Sequence, residues 1–466
     1  MKSRILSLLS IVLLIVVIEG CFLFPTGPDS TLQFTPTLDW VVSVSGIAMD
    51  IASIGDVMLG GNTTVSGELR SIREAFNDQG QRQYYSISGS ESGIVRDIIG
   101  TATGGIQQLM YDYPIIGSKN YASYYGNITN PYTKYNTSLA TPITNPYPWS
   151  YGTEDLGPFI DKANPYTIIL YPSTPFTQYF TWITGSFTDT FQPDYSGDGK
   201  KFACPTYGKA DCFVIRRGLG GIRVRHQWGG PENDLAYDVA SDTVTGNATI
   251  FLRAGTPFPI TSATRTLVNV QTGYNIVRLD TNGLLTETFP VALQATGELT
   301  DAQIALGKGG AVYILAKDEV KKQYFLAKVS RSGTTWLRYF PPDVTNRDKS
   351  IPANRDARMG LTVDSKDCAY ITGNFSGTVD LGGASLSSES VQVFTAKYSP
   401  SGSCLGALAM GNGLGVTVRL SPDEKALYVN GWAEGSIMGT YIPSQDIPRQ
   451  GILRPGAFLV KLKIVK

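Results

Sequence analysis

Short runs of apolar or alternating residues, separated by turn residues, recur from about residue 38 to the end of the chain. That is the pattern of buried and half-buried β-strands. The clearest copy runs Gly360-Leu-Thr-Val-Asp364, Cys368-Ala-Tyr-Ile-Thr-Gly-Asn-Phe-Ser-Gly377, Val393-Phe-Thr-Ala-Lys-Tyr398 with a Ser-Pro-Ser-Gly402 turn, then Cys404-Leu-Gly-Ala-Leu-Ala409. These predict four strands joined by turns. Upstream, Thr181-Trp-Ile-Thr-Gly-Ser-Phe-Thr188 repeats the second strand and Asp211-Cys-Phe-Val-Ile-Arg216 the third.

Weaker copies keep the same order. They include Ala248-Thr-Ile-Phe-Leu-Arg-Ala254 with Tyr274-Asn-Ile-Val-Arg-Leu-Asp280, Ala311-Val-Tyr-Ile-Leu-Ala316 with Tyr324-Phe-Leu-Ala-Lys-Val329, and Ala426-Leu-Tyr-Val-Asn-Gly431 with Ala457-Phe-Leu-Val-Lys-Leu462. Units begin near 47, 166, 236, 302, 360 and 415, and the first gap is about twice the others. That gap holds either a degenerate unit starting near Gly105 or one large insertion. Four-stranded units must bury both faces against neighbours, and radial stacking into a β-propeller does so while leaving only short edges. The last unit stops after a third strand, and Leu38-Asp-Trp-Val-Val-Ser-Val44 reads as a fourth strand lacking its first three. Pairing the two would close a ring and remove exposed edges.

Composition narrows the function classes. Gly 50, Pro 26 and Tyr 25 with 17% charged residues disfavour a helical protein. Lys+Arg 39 balances Asp+Glu 39, with no long basic run in the body, so no footprint for nucleic acid is visible. The single histidine, His226, lies in a fourth-strand segment, Arg223-Val-Arg-His-Gln-Trp228, and reads as a half-exposed strand residue rather than a general base. No nucleophile elbow, zinc-helix or phosphate-loop motif is present. Asp194-Tyr-Ser-Gly-Asp-Gly199 starts like a calcium loop, but position 12 falls on Pro205 where a bidentate acid belongs, so a turn is expected. No cofactor and no metal are expected.

The N-terminus carries a targeting pattern. Lys2 and Arg4 precede an apolar stretch from Ile5 to Ile18, too short for a comfortable membrane span but suited to a signal peptide. It ends Val17-Ile18-Glu19-Gly20-Cys21, which resembles the bacterial lipobox at Ile18, Gly20 and Cys21 and departs from it at Glu19. The resemblance implies cleavage after residue 20 and a lipid on Cys21. Residues 21–33 then form a Pro- and Gly-bearing tether, and 34–466 a single domain.

The repeated G-[IL]-x-V-D, Y-[IV]-T-G-x-F-x-G and F-x-A-K-Y-x-x-x-G patterns resemble the bacterial SBBP seven-bladed β-propeller repeat, most clearly over 360–409 and 176–216. The resemblance implies an all-β, exported propeller of four-stranded blades. Seven blades are expected, or six plus an insertion at about 104–165. An oxidising compartment would favour bridges between Cys204 and Cys212 and between Cys368 and Cys404, once Cys21 is lipidated.

Between Tyr111 and Tyr171 lie 11 of the 25 tyrosines, with Trp149 and three Asn-Pro pairs. Rigid aromatics among Asn, Thr and Pro suit sugar or peptide contact, and suit equally a loop packed over a ring face. Tyr121, Tyr124, Tyr125, Tyr132, Tyr147 and Trp149 are the candidate ligand contacts. The sequence therefore points to a membrane-anchored, non-enzymatic envelope protein that binds a glycan, peptide or protein, in the outer membrane if the cell has two. The alternative is a propeller enzyme, a glycan lyase or hydrolase, with its site on a ring face.

Overall fold

The computed structural model describes residues 33–464 except 46–47, 52–56, 66–67, 88–93, 101–105, 112–120, 130–153, 159–165, 172–179, 188–189, 192–203, 219–220, 243–244, 296–297, 346–358, 444, 448–451 and 455. The signal segment 1–20, Cys21 and the tether up to residue 32 lie outside the described residues. Among the described residues the chain is all-β, with one short 3-10 turn at Lys308–Gly310 and no α-helix.

Five four-stranded antiparallel sheets follow one another along the chain, each pairing its strands in sequence order. The first is Ala48–Ile51, Val57–Val65, Glu68–Phe76 and Arg82–Ile87; the second is Ile94–Gly100, Ile106–Tyr111, Tyr121–Thr129 and Glu154–Pro158. The third is Tyr166–Tyr171, Phe180–Phe187, Asp211–Gly218 and Gly221–Trp228; the fourth is Leu235–Ser241, Ala248–Ala254, Gly273–Leu279 and Leu285–Pro290; the fifth is Leu299–Leu306, Val312–Asp318, Gln323–Ser330 and Gly333–Tyr339. Three strands of the second sheet fall within 104–165, where the sequence leaves a degenerate unit or an insertion open.

The remaining strands form a nine-stranded terminal sheet of two meanders. Gly360–Val363, Ala369–Asp380 and Ser385–Tyr398 lead into Cys404–Leu420, whose far half pairs with Ala426–Ile437 and, beyond it, Gly456–Lys463. One strand thus serves both meanders where the repeats predict two. It passes between them through Gly411 and Gly413, at φ 130° and 151°, where an added Cβ would meet the carbonyl oxygens of Ser436 and Trp432 at 2.2 and 2.0 Å. Only glycine tolerates that conformation and that approach. The expected fourth strand, Thr37–Val44, pairs antiparallel with Gly456–Lys463, with Trp40 opposite Lys461.

Strand alternation sends neighbouring side chains into different cores. Ile250 and Leu252 of the fourth sheet pack with Trp182 and Val214 of the third, whereas Phe251 packs with Ile314 and Phe325 of the fifth. The same layering joins Leu315 and Leu326 to Ile371 and Phe394, Tyr370 and Val393 to Val429 and Val460, and Tyr428 and Leu459 to Val57 and Phe76. Each fully buried side chain of this size contributes about 1.5–3 kcal/mol. Sheets that bury both faces therefore require neighbours on both sides.

First strands touch in chain order. Ala48–Ile51 contacts Ile94–Gly100, which contacts Tyr166–Tyr171; then follow Leu235–Ser241, Leu299–Leu306, Gly360–Val363 and Cys404–Leu420, and the last of these also contacts Ala48–Ile51.

In a meander the connections between strands one and two and between three and four lie at one end, here the turn end; those between two and three and between sheets lie at the other, the loop end. The turn end is stitched from sheet to sheet. Trp336 of the fifth sheet donates from Nε1 to the Pro400 carbonyl at 2.9 Å, and Tyr313 donates from its hydroxyl to the Asp367 carbonyl at 2.6 Å. Lys328 bonds the Asp367 carboxylate, and Trp182 donates to the Gly246 carbonyl of the next sheet at 3.1 Å.

The structure corrects the predicted disulfides. Cys212, Cys368 and Cys404 are buried free thiols. The strand Ser385–Tyr398 separates Cys368 from Cys404, so their backbones are about 10 Å apart at ordinary strand spacing, beyond the about 7 Å a disulfide spans. They also serve different cores, Cys368 that between the two terminal meanders and Cys404 that facing the fifth sheet. Cys212 packs beside Trp182 and Ile250, while Cys204 sits on a separate two-stranded ribbon opposite Phe191.

Candidate functional site at the loop end

Four long connections lie at the loop end, while the longest, 130–153, joins third and fourth strands at the turn end. The segments 188–210, 255–272, 340–359 and 438–455 all leave and return there, whereas most turn-end connections are about five residues long. Segment 255–272 carries its own hairpin, Phe258–Thr261 with Leu267–Val270, held by Phe258 and Ile260 in the core between the third and fourth sheets. Long loops on a rigid scaffold are where binding groups are usually carried. Among the described residues, the most exposed large apolar side chains lie on three of these connections and on the four-residue turn 319–322. Leu267 is 71% exposed, Tyr441 70%, Tyr207 66% and Val320 64%, and each sits between the second and third strands of its unit.

Where the third and fourth sheets meet, two buried carboxylates tie the loop end together. Asp234 accepts from the Gly230 N–H at 2.7 Å and the Gly255 N–H at 2.9 Å, joining the connection between sheets to the hairpin loop. Burial raises its pKa to about 6 despite those bonds, with the neighbouring Asp211 adding to the rise. Asp211 accepts from the Tyr207 N–H at 2.9 Å and from Gln227 Nε2 at 2.7 Å, and burial raises it too. Its Oδ1 is unpartnered and turned toward Gly229, where a Cβ would come within 2.1 Å.

Where the fourth and fifth sheets meet, tyrosines and charges converge. Arg253 pairs in register with Leu235 on one side and Tyr274 on the other. Burial lifts the Tyr274 hydroxyl to about 12; Arg253 opposes that rise, and Asp318, Tyr339 and Glu298 add to it, so all four lie within electrostatic reach of one phenol. From the fifth sheet, the Tyr339 hydroxyl donates to Asp318 Oδ2 at 3.0 Å, and Asp318 Oδ1 accepts the N–H groups of Val320 and Lys321. The Lys321 ammonium lies 3.6 Å from the Tyr339 ring centroid. Tyr237 stands behind, its hydroxyl accepting the Leu299 N–H at 3.5 Å. The arrangement places a half-buried guanidinium beside the buried Tyr274 and Tyr237 and the partly buried Tyr339 at the loop end.

The tyrosine-rich candidates divide. Tyr121, Tyr124 and Tyr125 lie on the third strand of the second sheet, opposite Pro158, Glu154 and Gln108 respectively, so they belong to regular pairing. Tyr132, Tyr147 and Trp149 lie outside the described residues, on a connection that leaves from Thr129 at the turn end. His226 occupies the fourth strand of the third sheet, stacked on Trp228, with Nε2 donating to the Gly283 carbonyl at 2.7 Å. Burial lowers its pKa. The loop Asp194–Gly199 lies outside the described residues. Among the described residues no group of three or more His, Cys, Asp or Glu is placed to hold a metal ion.

Comparison with known proteins adds little to this geometry. No protein-family model matches the sequence, and no curated protein matches it. Among solved structures, polysaccharide lyase Uly1 aligns over 91% of this chain and 90% of its own at 8% identity, with a TM-score of 0.44. A eukaryotic initiation factor aligns over 90% of this chain and 81% of its own at 10% identity, with a TM-score of 0.33.

Proposed function

We propose that the protein is a lipid-anchored β-propeller of the bacterial cell envelope that binds a glycan, peptide or protein, without catalysis, at its loop end. In this reading the two meanders of the terminal sheet are separate blades, giving seven, and Thr37–Val44 completes the last. The succession of first-strand contacts that returns from Cys404–Leu420 to Ala48–Ile51 supports a closed ring. The lipid anchor rests on Lys2, Arg4, the apolar stretch 5–18 and Gly20-Cys21.

The observation that carries the binding reading is the placement of Tyr207, Leu267, Val320 and Tyr441. Isolated exposed apolar residues are ordinary on protein surfaces. Among the described residues, four from four different units are more than 60% exposed and all lie on the connection between second and third strands. The described turns of the opposite end are bonded to one another from sheet to sheet. A glycan and peptide array read with the mature protein tests the assignment. Replacing Tyr207, Leu267, Val320 and Tyr441 by Ser together should abolish the signal, and deleting 130–153 should leave it. Loss on the deletion alone would move the site to the tyrosine-rich connection.

A further inference from the structure

The chain enters the fold at the turn end. The Phe34 N–H donates to the Leu405 carbonyl at 3.2 Å, beside the turn 399–403, and its ring meets that of Tyr370 edge-on with centroids 5.9 Å apart. Tyr370 stands at the start of a second strand, and Thr37 pairs with Lys463 where the last third strand ends. All three partners lie at the turn end. Residues 21–33 span at most about 45 Å when fully extended. A tether of that reach lets either end of the domain approach a membrane, so a second feature must select one.

The third sheet supplies it. From Phe213 to Pro231 the sequence holds Arg216, Arg217, Arg223 and Arg225 and no Asp or Glu, in a chain whose charges balance overall. Strands Asp211–Gly218 and Gly221–Trp228 meet through residues 219–220 at the turn end, with Arg217 opposite Ile222, Arg216 opposite Val224 and Arg225 opposite Ile215. Arg223 is the extra residue at the register shift between them. Charge on an edge strand is an ordinary defence against association. The fourth strands Arg82–Ile87 and Gly333–Tyr339 make do with one arginine each, and Glu154–Pro158, Leu285–Pro290 and Thr37–Val44 with no cation. The adjoining turns of the fourth sheet carry one acid each, Asp242 and Asp280, both accepting N–H groups of their own turns.

We propose that the turn end faces the membrane and that the hairpin bearing Arg216, Arg217, Arg223 and Arg225 docks on its anionic lipid headgroups. The proposal rests on the lipid-anchor reading above and adds an orientation, with the loop end turned away from the bilayer toward its ligand. Each arginine near an anionic bilayer strengthens association about fivefold. A lipid surface is favoured over nucleic acid because no aromatic residue on which bases could stack lies between Val214 and Arg225.

Vesicle co-sedimentation of the mature chain from Cys21 onward, without acyl groups, measures the docking apart from the anchor. Vesicles of phosphatidylcholine with phosphatidylglycerol should bind it at least about tenfold more tightly than phosphatidylcholine alone, and salt should weaken the difference. Arg217→Gln with Arg223→Gln should cost at least about tenfold, and Arg217→Lys with Arg223→Lys should keep the binding, both at an unchanged melting temperature. Hydrogen exchange of the acylated protein on the anionic vesicles should show protection in 216–225 and none in 255–272. Equal binding to the two kinds of vesicle, wild-type affinity in the Gln variant, or protection of 255–272 in place of 216–225 would overturn the proposal. Tighter binding to a single-stranded oligonucleotide than to the anionic vesicles would overturn the membrane assignment. Mass spectrometry of Cys21 decides the anchor separately, and the array with the four Ser substitutions decides the loop-end reading by itself.

Discussion

Trp40 Nε1 donates to the carbonyl of Asp78 at 2.9 Å, joining the N-terminal strand to a turn of the first sheet. The geometry repeats that of Trp336 and Pro400 between the fifth sheet and the terminal sheet. In both places the indole lies against a left-handed glycine of the receiving turn, Gly80 or Gly402, where an added Cβ would sit 2.8 or 2.7 Å from the ring. Both indoles are opposite a lysine, Lys461 or Lys328, which in turn is opposite a tyrosine, Tyr428 or Tyr313. Both lysines also reach the same carbonyl as the indole, Asp78 at 3.0 Å and Pro400 at 3.4 Å. The contact between the chain's two ends and its first sheet is therefore built like an ordinary contact between successive sheets.

That equivalence predicts matched energetics. Trp40→Ala and Trp336→Ala should each destabilise by about 2–4 kcal/mol, through lost ring burial and a vacated carbonyl. Chemical denaturation of the two variants checks this. A loss in Trp336→Ala with none in Trp40→Ala would mean that the N-terminal strand is not integral to the fold.

Asp234 gives stability a pH dependence of definite sign. Its folded pKa, about 6, lies above the usual carboxyl value, so the folded state holds a proton that the unfolded chain releases. The favourable contribution is fully present below about pH 4 and is lost as pH rises through about 6. Asp234→Asn should flatten that segment of the profile and stabilise the protein at pH 7.5 by about 2 kcal/mol, with little effect at pH 4. Denaturant melts at the two pH values read it directly.

The thiols should behave as buried and unbridged. Cys404 is raised to about 11 and Cys368 to about 11, in each case chiefly by burial, and burial pushes Cys212 up as well. Alkylation of the native protein at pH 8 should leave all three unmodified, because the thiolate is the reactive form. Denaturation without reductant should expose all three to alkylation. A peptide joining any of them by a disulfide would contradict the structure.

Gly229 should resist even the smallest side chain. A methyl there would displace the Asp211 carboxylate, which holds the Tyr207 loop and Gln227. Gly229→Ala is expected to cost about 1–3 kcal/mol, and Gly229→Ala with Asp211→Ala to cost less than the separate effects combined. Melting temperatures of the three variants measure the coupling.

Much of the fold was legible because strand periodicity is local. Tyr370, Thr372 and Lys397 stand at the same places in their unit as Trp182, Thr184 and Arg216 in an earlier one, and the pairings follow. The terminal pairing of Trp40 with Lys461 was legible as a strand missing from one end and present at the other. The cysteine bridges were misread because proximity at one end of a unit ignores both the intervening strand and the face each thiol serves. The loop-end cluster was invisible for a related reason: Arg253, Tyr274, Glu298 and Tyr339 come from strands and a connection in two sheets, with no common spacing. One signal existed in the sequence, the polar Arg253 and Tyr274 at the outer ends of otherwise apolar second and third strands.

Hydrogen exchange with a ligand identified on the array tests the assignment of the binding end most directly. Protection is expected in 255–272, 298–300 and 319–324 on ligand binding, with the turns 242–247, 307–311 and 399–403 unchanged. Protection confined to those turns or to 130–153, with the loop end unaffected, would contradict the account.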